Sequence, residues 1–427
     1  MHFHLLKPRH GWRADGEVGA LDDGSTTGKL TGGGPRIAAI NPKQALIVVL
    51  LVAFAVAAAT RVVYLGGGAD DVKYIRAAQC VADHLWCVPD DHWARRFPLV
   101  LPLALVIRLS GTTLATLWIV PALYSVAVVA LFVTIVSRQF DGTRGMLAGL
   151  AFVLTPAIGM RFVSVGIDLP EFAFLLGATY FLQRWVSRCD SPSAGAMGLC
   201  LGFAVACRPT MLAAVLILGI GFLALGGRRH TVQAAAFFLL PLLIELLVYA
   251  AVGDPLRPWR LSLAHATIPS DFLTGVDLHE SPILNVHFIQ NWEPAAGVKA
   301  HWAVQGLLNY LISMEVWFTH LFAVTMAVFA IRNPADRAEI RIIGLLLLLG
   351  LLHFALLTYV FSIDPRPRMF MPLIAVECVA IGVFATRTFS GAERLVAPAL
   401  FALQVAVLIP AAFGDHGHSL PAAEVAR

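Results

Sequence analysis

The chain has 427 residues, 58% hydrophobic and 14% charged, with a formal net charge of +4. A charged share that far below the roughly 25% usual for soluble domains excludes an ordinary water-soluble enzyme, and the small net charge supplies no basic surface for nucleic acid. Several apolar runs reach the length needed to cross a bilayer.

Residues 1–43 are polar and Gly-rich, which predicts a disordered tail. The first apolar run, Ala45 to Leu65, carries a single charge, Arg61, near its end. It starts too far along the chain for a secretory signal and is read as a retained helix. Spans are expected at 44–65, 113–137, 145–163, 169–187, 195–207, 208–226, 231–252, 303–331, 341–362, 369–387 and 395–413, about eleven in all. The fold class is therefore all-α, a polytopic transmembrane helical domain over 44–413 with a short tail at 414–427. The segment Phe97 to Leu109 is too short to span and holds Pro98 and Pro102, so it is expected to be an interfacial or re-entrant helix. The Cys207-Arg208-Pro209 junction is the boundary on which the span count depends.

Orientation follows from the basic residues. With the tail bearing Lys7, Arg9, Arg13, Lys29, Arg36 and Lys43 on the cytoplasmic side, alternate connections place Arg138 and Arg144, Arg184 and Arg188, Arg228 and Arg229, Arg332 to Arg341, and Arg387 and Arg394 on that side too. Two long loops, 66–97 and 253–302, then fall outside.

The first loop carries an acidic pair just after the span, in Gly66-Gly67-Gly68-Ala69-Asp70-Asp71-Val72-Lys73-Tyr74. From Asp71 onward, Tyr74, Ala78, Val81 and Leu85 recur at helical spacing, which predicts an amphipathic helix on the membrane surface. Asp70 and Asp71 have two readings. They could cap and charge-complement that helix. They could also divide a general-base role from an orienting or metal-binding role, and capping needs only one of them.

Four cysteines, Cys189, Cys200, Cys207 and Cys378, fall on the inner side or within spans and read as apolar packers. Cys80 and Cys87 share the first external loop, where an oxidising compartment permits a disulfide. The second loop holds His265, His279, His287 and His301 among Asp271, Asp277, Glu280 and Glu293, without compact metal spacing. It reads as a solvated cover. A divalent metal held by Asp70, Asp71 and one of these histidines is the alternative.

Further charges gather on the external side: Arg95-Arg96, Asp168 and Glu171 around Pro170, Arg208-Pro209, and Asp364-Pro365-Arg366-Pro367-Arg368. Each has an ordinary reading as a snorkelling arginine or a helix cap. Together, acids and arginines on one face describe a site that holds a phosphate and deprotonates something else.

The order of these motifs resembles the C-type (GT-C) membrane glycosyltransferases, the superfamily that includes dolichyl-phosphate-mannose protein mannosyltransferases and the bacterial aminoarabinose transferase acting on lipid A. The resemblance runs over about 45–390. It rests on Asp70-Asp71-Val72-Lys73-Tyr74, on Arg96-Phe97-Pro98-Leu99 through Arg108-Leu109-Ser110-Gly111, on Asp168-Leu169-Pro170, on Gly198 to Ala204 leading to Arg208, on Gly253-Asp254-Pro255, and on Arg368-Met369-Phe370-Met371-Pro372. It implies transfer of one sugar, with mannose a candidate, from a polyprenyl-phosphate donor to a glycan, lipid or protein acceptor on the outer face of a bacterial inner membrane. Asp70 and Asp71 would then be catalytic, with Arg96, Arg208, Arg366 and Arg368 on the donor phosphate and Lys73, Tyr74 and Asp168 contacting substrate. Two departures stand out: Met369 follows Arg368 where the family often has tyrosine, and the first-loop pair is Asp-Asp where protein mannosyltransferases often have Asp-Glu.

The rivals are a lipid or small-molecule transporter and a non-catalytic partner subunit. A transporter predicts repeated halves and ionisable groups near the bilayer midplane. No repeat is evident, and most of the charge lies at one face, with Glu245 and Glu377 inside apolar spans as the exceptions.

Overall fold

The computed structural model of the chain describes residues 40–60, 70–84, 87, 93–162, 164–225, 227–257, 260, 310–311, 313, 315–331, 337–357, 367–386 and 395–413. The expected tail, most of the loop at 253–302, Arg366 and the four loop histidines lie outside them.

Among the described residues all regular structure is helical. In chain order the helices are α1 (Pro42–Thr60), α2 (Asp70–Asp83), α3 (Phe97–Ser110), α4 (Leu114–Gln139), α5 (Gly142–Leu154), α6 (Pro156–Gly159), α7 (Asp168–Arg188), α8 (Ser191–Cys207), α9 (Leu212–Leu225), α10 (Gly227–Ala251), α11 (Trp317–Ile331), α12 (Arg337–Ala355), α13 (Met371–Ala385) and α14 (Val396–Phe413). Each expected apolar run contains one. Two of them, Ala115–Gln139 within α4 and Gly227–Ala251, are long and apolar enough to cross a membrane by themselves, and the other apolar helices are shorter.

Local chemistry sets the boundaries. Thr113, Asp141 and Asp190 each accept a hydrogen bond from the amide three residues on, capping α4, α5 and α8. The break between α8 and α9 is real: Arg208 is extended (φ −153°, ψ 120°), as the residue before Pro209 prefers, and a 3-10 turn at Pro209–Met211 follows. Pro102 sits inside α3 and has no N–H for the Pro98 carbonyl. The Tyr124 hydroxyl of α4 donates to that oxygen instead, at 2.5 Å, so α3 stays helical past its proline.

Close approach of α8 and α10 depends on small residues. Gly198 and Gly202, four apart on one face of α8, lie against the backbone carbonyls of Ala234 and Phe238, leaving no room for a Cβ. One hydrophobic cluster runs through α1, α4, α5, α7, α8, α11 and α13, with stacked rings at Phe132, Phe152 and Phe172. A smaller one joins α2, α3 and the start of α4 to Val165, Ile167 and Cys207.

That smaller cluster revises the reading of the first loop. The stripe of Tyr74, Ala78 and Val81 exists, but it packs on α3 and is buried by protein, with Tyr74 only 1% exposed. Leu85, expected on the same stripe, lies outside the described residues. Packing on α3 removes apolar area from solvent and holds α2 in one orientation, which surface adsorption would not do.

Candidate functional site

Four elements bring charge to one place. Asp70 opens α2, Arg96 immediately precedes α3, Asp168 and Glu171 occupy the first turn of α7, and Arg208 ends α8. Asp168 and Glu171 are three apart on a helix, so they share a face. Both meet the same guanidinium: Arg208 Nη2 lies 2.7 Å from Asp168 Oδ1 and Nη1 lies 2.9 Å from Glu171 Oε2. All three residues are buried. The Met369 sulfur, at the end of the 3-10 turn Pro367–Phe370, is 2.9 Å from Arg208 Nη1.

Asp70 is held from the side. The Trp93 indole Nε1 donates to Asp70 Oδ1 at 2.8 Å, and Lys73 Nζ sits 3.2 Å from the centre of the Trp93 ring. The Arg96 guanidinium lies 5.3 Å from the centre of the Tyr74 ring, within reach of a cation–π contact. Burial, and after it the neighbouring Arg208, bring the Arg96 guanidinium down to about 10 against the opposing pull of Asp70, Asp168 and Glu171. Arg96 therefore stays cationic at neutral pH and shares one electrostatic field with the other four groups.

Asp71 takes a separate place. It is buried on the α2 face toward α3, and its Oδ1 accepts from the amide of Val72 at 3.0 Å. Asp70 thus meets the Trp93 indole, and Asp71 meets the amide that follows it.

Of the expected site residues, the structure gathers Asp70, Lys73, Tyr74, Arg96, Asp168 and Arg208. The backbone of Arg368 lies in the turn that places Met369 at Arg208, while Arg366 is outside the described residues. Cys80 and Cys87 are joined in a disulfide with Cα atoms 5.6 Å apart, at the far end of α2 from Asp70. Among the described residues no group of three His, Cys, Asp or Glu side chains is arranged to hold a metal ion.

Sequence reading placed Glu171 and Arg95 in the external charge set without a role of their own and passed over Trp93. The i, i+3 spacing to Asp168 was the available signal for Glu171. Nothing local marked Trp93, whose partner is 23 residues away. Arg208, expected on the donor phosphate, lies between two carboxylates that offset its charge. Asp168 and Glu171 also border a small, mostly apolar depression with Met211, Met369 and Pro372.

Residues 98–253 match the family model described as dolichyl-phosphate-mannose-protein mannosyltransferase. Among solved structures, ArnT from Cupriavidus metallidurans bound to undecaprenyl phosphate aligns with a TM-score of 0.52 at 14% identity, over 89% of this chain and 67% of ArnT. The matched segment resembles this mannosyltransferase family, and the chain shares the ArnT fold. A second solved structure, the apo oligosaccharyltransferase of Archaeoglobus fulgidus, aligns at 15% identity and a TM-score of 0.50, over 89% of this chain and 55% of the archaeal one. No curated protein matches it by sequence. At these identities the structural likeness is one of fold, and the matched family segment includes Asp168, Glu171 and Arg208 but not Asp70.

Proposed function

We propose that the chain is an integral-membrane glycosyltransferase of the C-type superfamily. It moves a sugar, mannose among the candidates, from a polyprenyl-phosphate carrier to an acceptor hydroxyl on the outer face. The observation that carries this reading is the convergence of Asp70, Arg96, Asp168, Glu171 and Arg208 from four separate elements at one end of the bundle. Undecaprenyl phosphate bound to ArnT supports a lipid-linked donor.

In this mechanism the acceptor oxygen attacks the anomeric carbon and the bond from that carbon to the phosphate oxygen breaks. The bonding pair leaves with the phosphate. Asp70 takes the acceptor proton, its carboxylate aimed by the Trp93 N–H. Arg96, with Arg368 of the late turn, stabilises the charge gathering on the phosphate. Arg208 holds Asp168 and Glu171 in register beside the depression, so that a substrate hydroxyl can meet oriented oxygens.

The topology that accompanies this reading has about eleven spans, a cytoplasmic tail, and the site facing the periplasm of a bacterial inner membrane. It is supported by the ion pairs. Arg144 meets Glu339 at 2.5 Å and Thr386 at 3.3 Å, all near expected cytoplasmic connections. Arg208 with Asp168 joins residues expected outside. Purified protein should transfer labelled sugar from a defined polyprenyl-phosphate donor. Failure with every such donor, in folded protein, would favour a non-catalytic partner subunit.

A further inference from the structure

Glu245 lies on α10, deep in one of the two helices apolar enough to span a membrane unaided. A carboxylate there is costly unless it is paired. Its partner comes from 150 residues away: Arg95 Nε donates to Glu245 Oε1 at 3.1 Å, with Arg95 only 3% and Glu245 only 4% exposed. Four residues further along α10, and so on the same face, the Tyr249 ring stands 6.0 Å from the ring of Phe97. The outer part of α10 therefore docks the chain on both sides of Arg96.

That docked segment is a tight turn. The Arg96 amide donates to the Trp93 carbonyl at 3.2 Å, and the Phe97 amide donates to the Arg95 carbonyl at 2.8 Å. Within it, alternate residues face different ways. Arg95 reaches α10, while Trp93 reaches Asp70 and Arg96 lies over Tyr74. Rotation of the turn would move Trp93 and Arg96 together. An apolar contact could bury the same surface at lower cost, but it would not select one rotation; a guanidinium meeting one carboxylate does.

From this geometry we infer that Glu245 is a positioning residue of the charged site: through Arg95 it sets the rotation of the Trp93–Phe97 turn, and thereby the Trp93 hydrogen bond to Asp70 and the place of Arg96. The inference builds on the proposed glycosyl transfer for its catalytic consequence, while its structural part stands separately.

Hydrogen exchange on the full-length protein in detergent tests the structural part. In Glu245→Gln, amides of 93–97 and 70–76 should exchange about tenfold faster or more, while a peptide from Met371–Ala385 exchanges as in the parent. The charge swap Arg95→Glu with Glu245→Arg should restore most of the protection. Arg95→Lys, which keeps the charge but loses the Nε donor, serves if Glu245→Gln does not fold, and it should loosen the same two segments. Unchanged exchange at 93–97, or an equal rise in all peptides, would overturn the inference.

For the catalytic part, transfer is compared in Glu245→Gln, Trp93→Phe and the double variant. Two residues acting through one hydrogen bond give losses in turnover that fail to multiply, with the double variant within about threefold of the worse single. Fully multiplicative losses would show that Glu245 acts elsewhere. If the parent protein transfers no sugar, the functional reading falls, and exchange alone decides the role of Glu245.

Discussion

Arg208 and Asp168, forty residues apart in sequence, meet at 2.7 Å where α8 ends and α7 begins. With Glu171 on the same guanidinium, the arginine is charge-compensated before any substrate arrives. The one guanidinium holds both acids in place where the two helix ends meet.

Removing Arg208 should therefore act first on stability. Arg208→Met leaves Asp168 and Glu171 buried without their cation, an arrangement that costs about 3–5 kcal/mol. Thermal unfolding in detergent should show a clear loss. Adding Asp168→Asn and Glu171→Gln to Arg208→Met should recover much of it. A stable single variant with normal donor binding would contradict the pairing.

The two acids of the first loop should separate on substitution. Asp70→Asn keeps the shape but removes the proton acceptor, so transfer should fall by roughly 10²–10⁴-fold with folding intact. Asp71→Asn removes charge from the start of α2 and should cost about 1 kcal/mol of stability with most transfer retained. Steady-state assays beside melting curves distinguish them. Equal losses of transfer in both would mean that Asp71 also reaches substrate.

The α8–α10 contact leaves no space for side chains. Gly202→Leu or Gly198→Leu should force the helices apart and cost at least about 1–3 kcal/mol. Gly219→Ala on α9, where a Cβ would meet nothing, is the control and should be neutral or slightly stabilising. Melting temperatures read both.

Cys80 and Cys87 should resist maleimide until a reductant is added, in membranes prepared without one. Replacing both with serine should speed exchange near the end of α2 and leave Asp70 chemistry largely in place, because the bridge lies at the opposite end of that helix. Free labelling of both thiols before reduction would show that the bridge does not form in the membrane.

Sidedness can be read with single cysteines in an otherwise cysteine-free chain. Positions 69 and 254 should label with an impermeant reagent from outside, and the exposed positions 139 and 228 only after permeabilisation. Labelling of 69 and 254 from opposite faces would separate the two external loops and end the common-site mechanism.

Much of the helical framework is local physics, and so it was legible in the residues alone. Apolar runs of bilayer length, capping residues such as Thr113, Asp141 and Asp190, and the extended Arg208 before Pro209 act within a few positions of the chain. They place helix starts and ends without reference to the rest of the fold. The charged face was legible as a set, since alternating basic connections send Asp70, Arg96, Asp168 and Arg208 to one side. Who pairs with whom was decided only in three dimensions. Arg208 could have faced lipid phosphate or two acids, and it took the acids because α7 and α8 pack with their ends adjacent. Asp70 and Asp71 read alike as neighbours, yet helical rotation sends one to Trp93 and buries the other. Glu245 looked like a stray charge in an apolar helix until Arg95 arrived from 150 residues away. A charge in a low-dielectric interior needs a partner, but its position in sequence does not say which one; that choice belongs to packing.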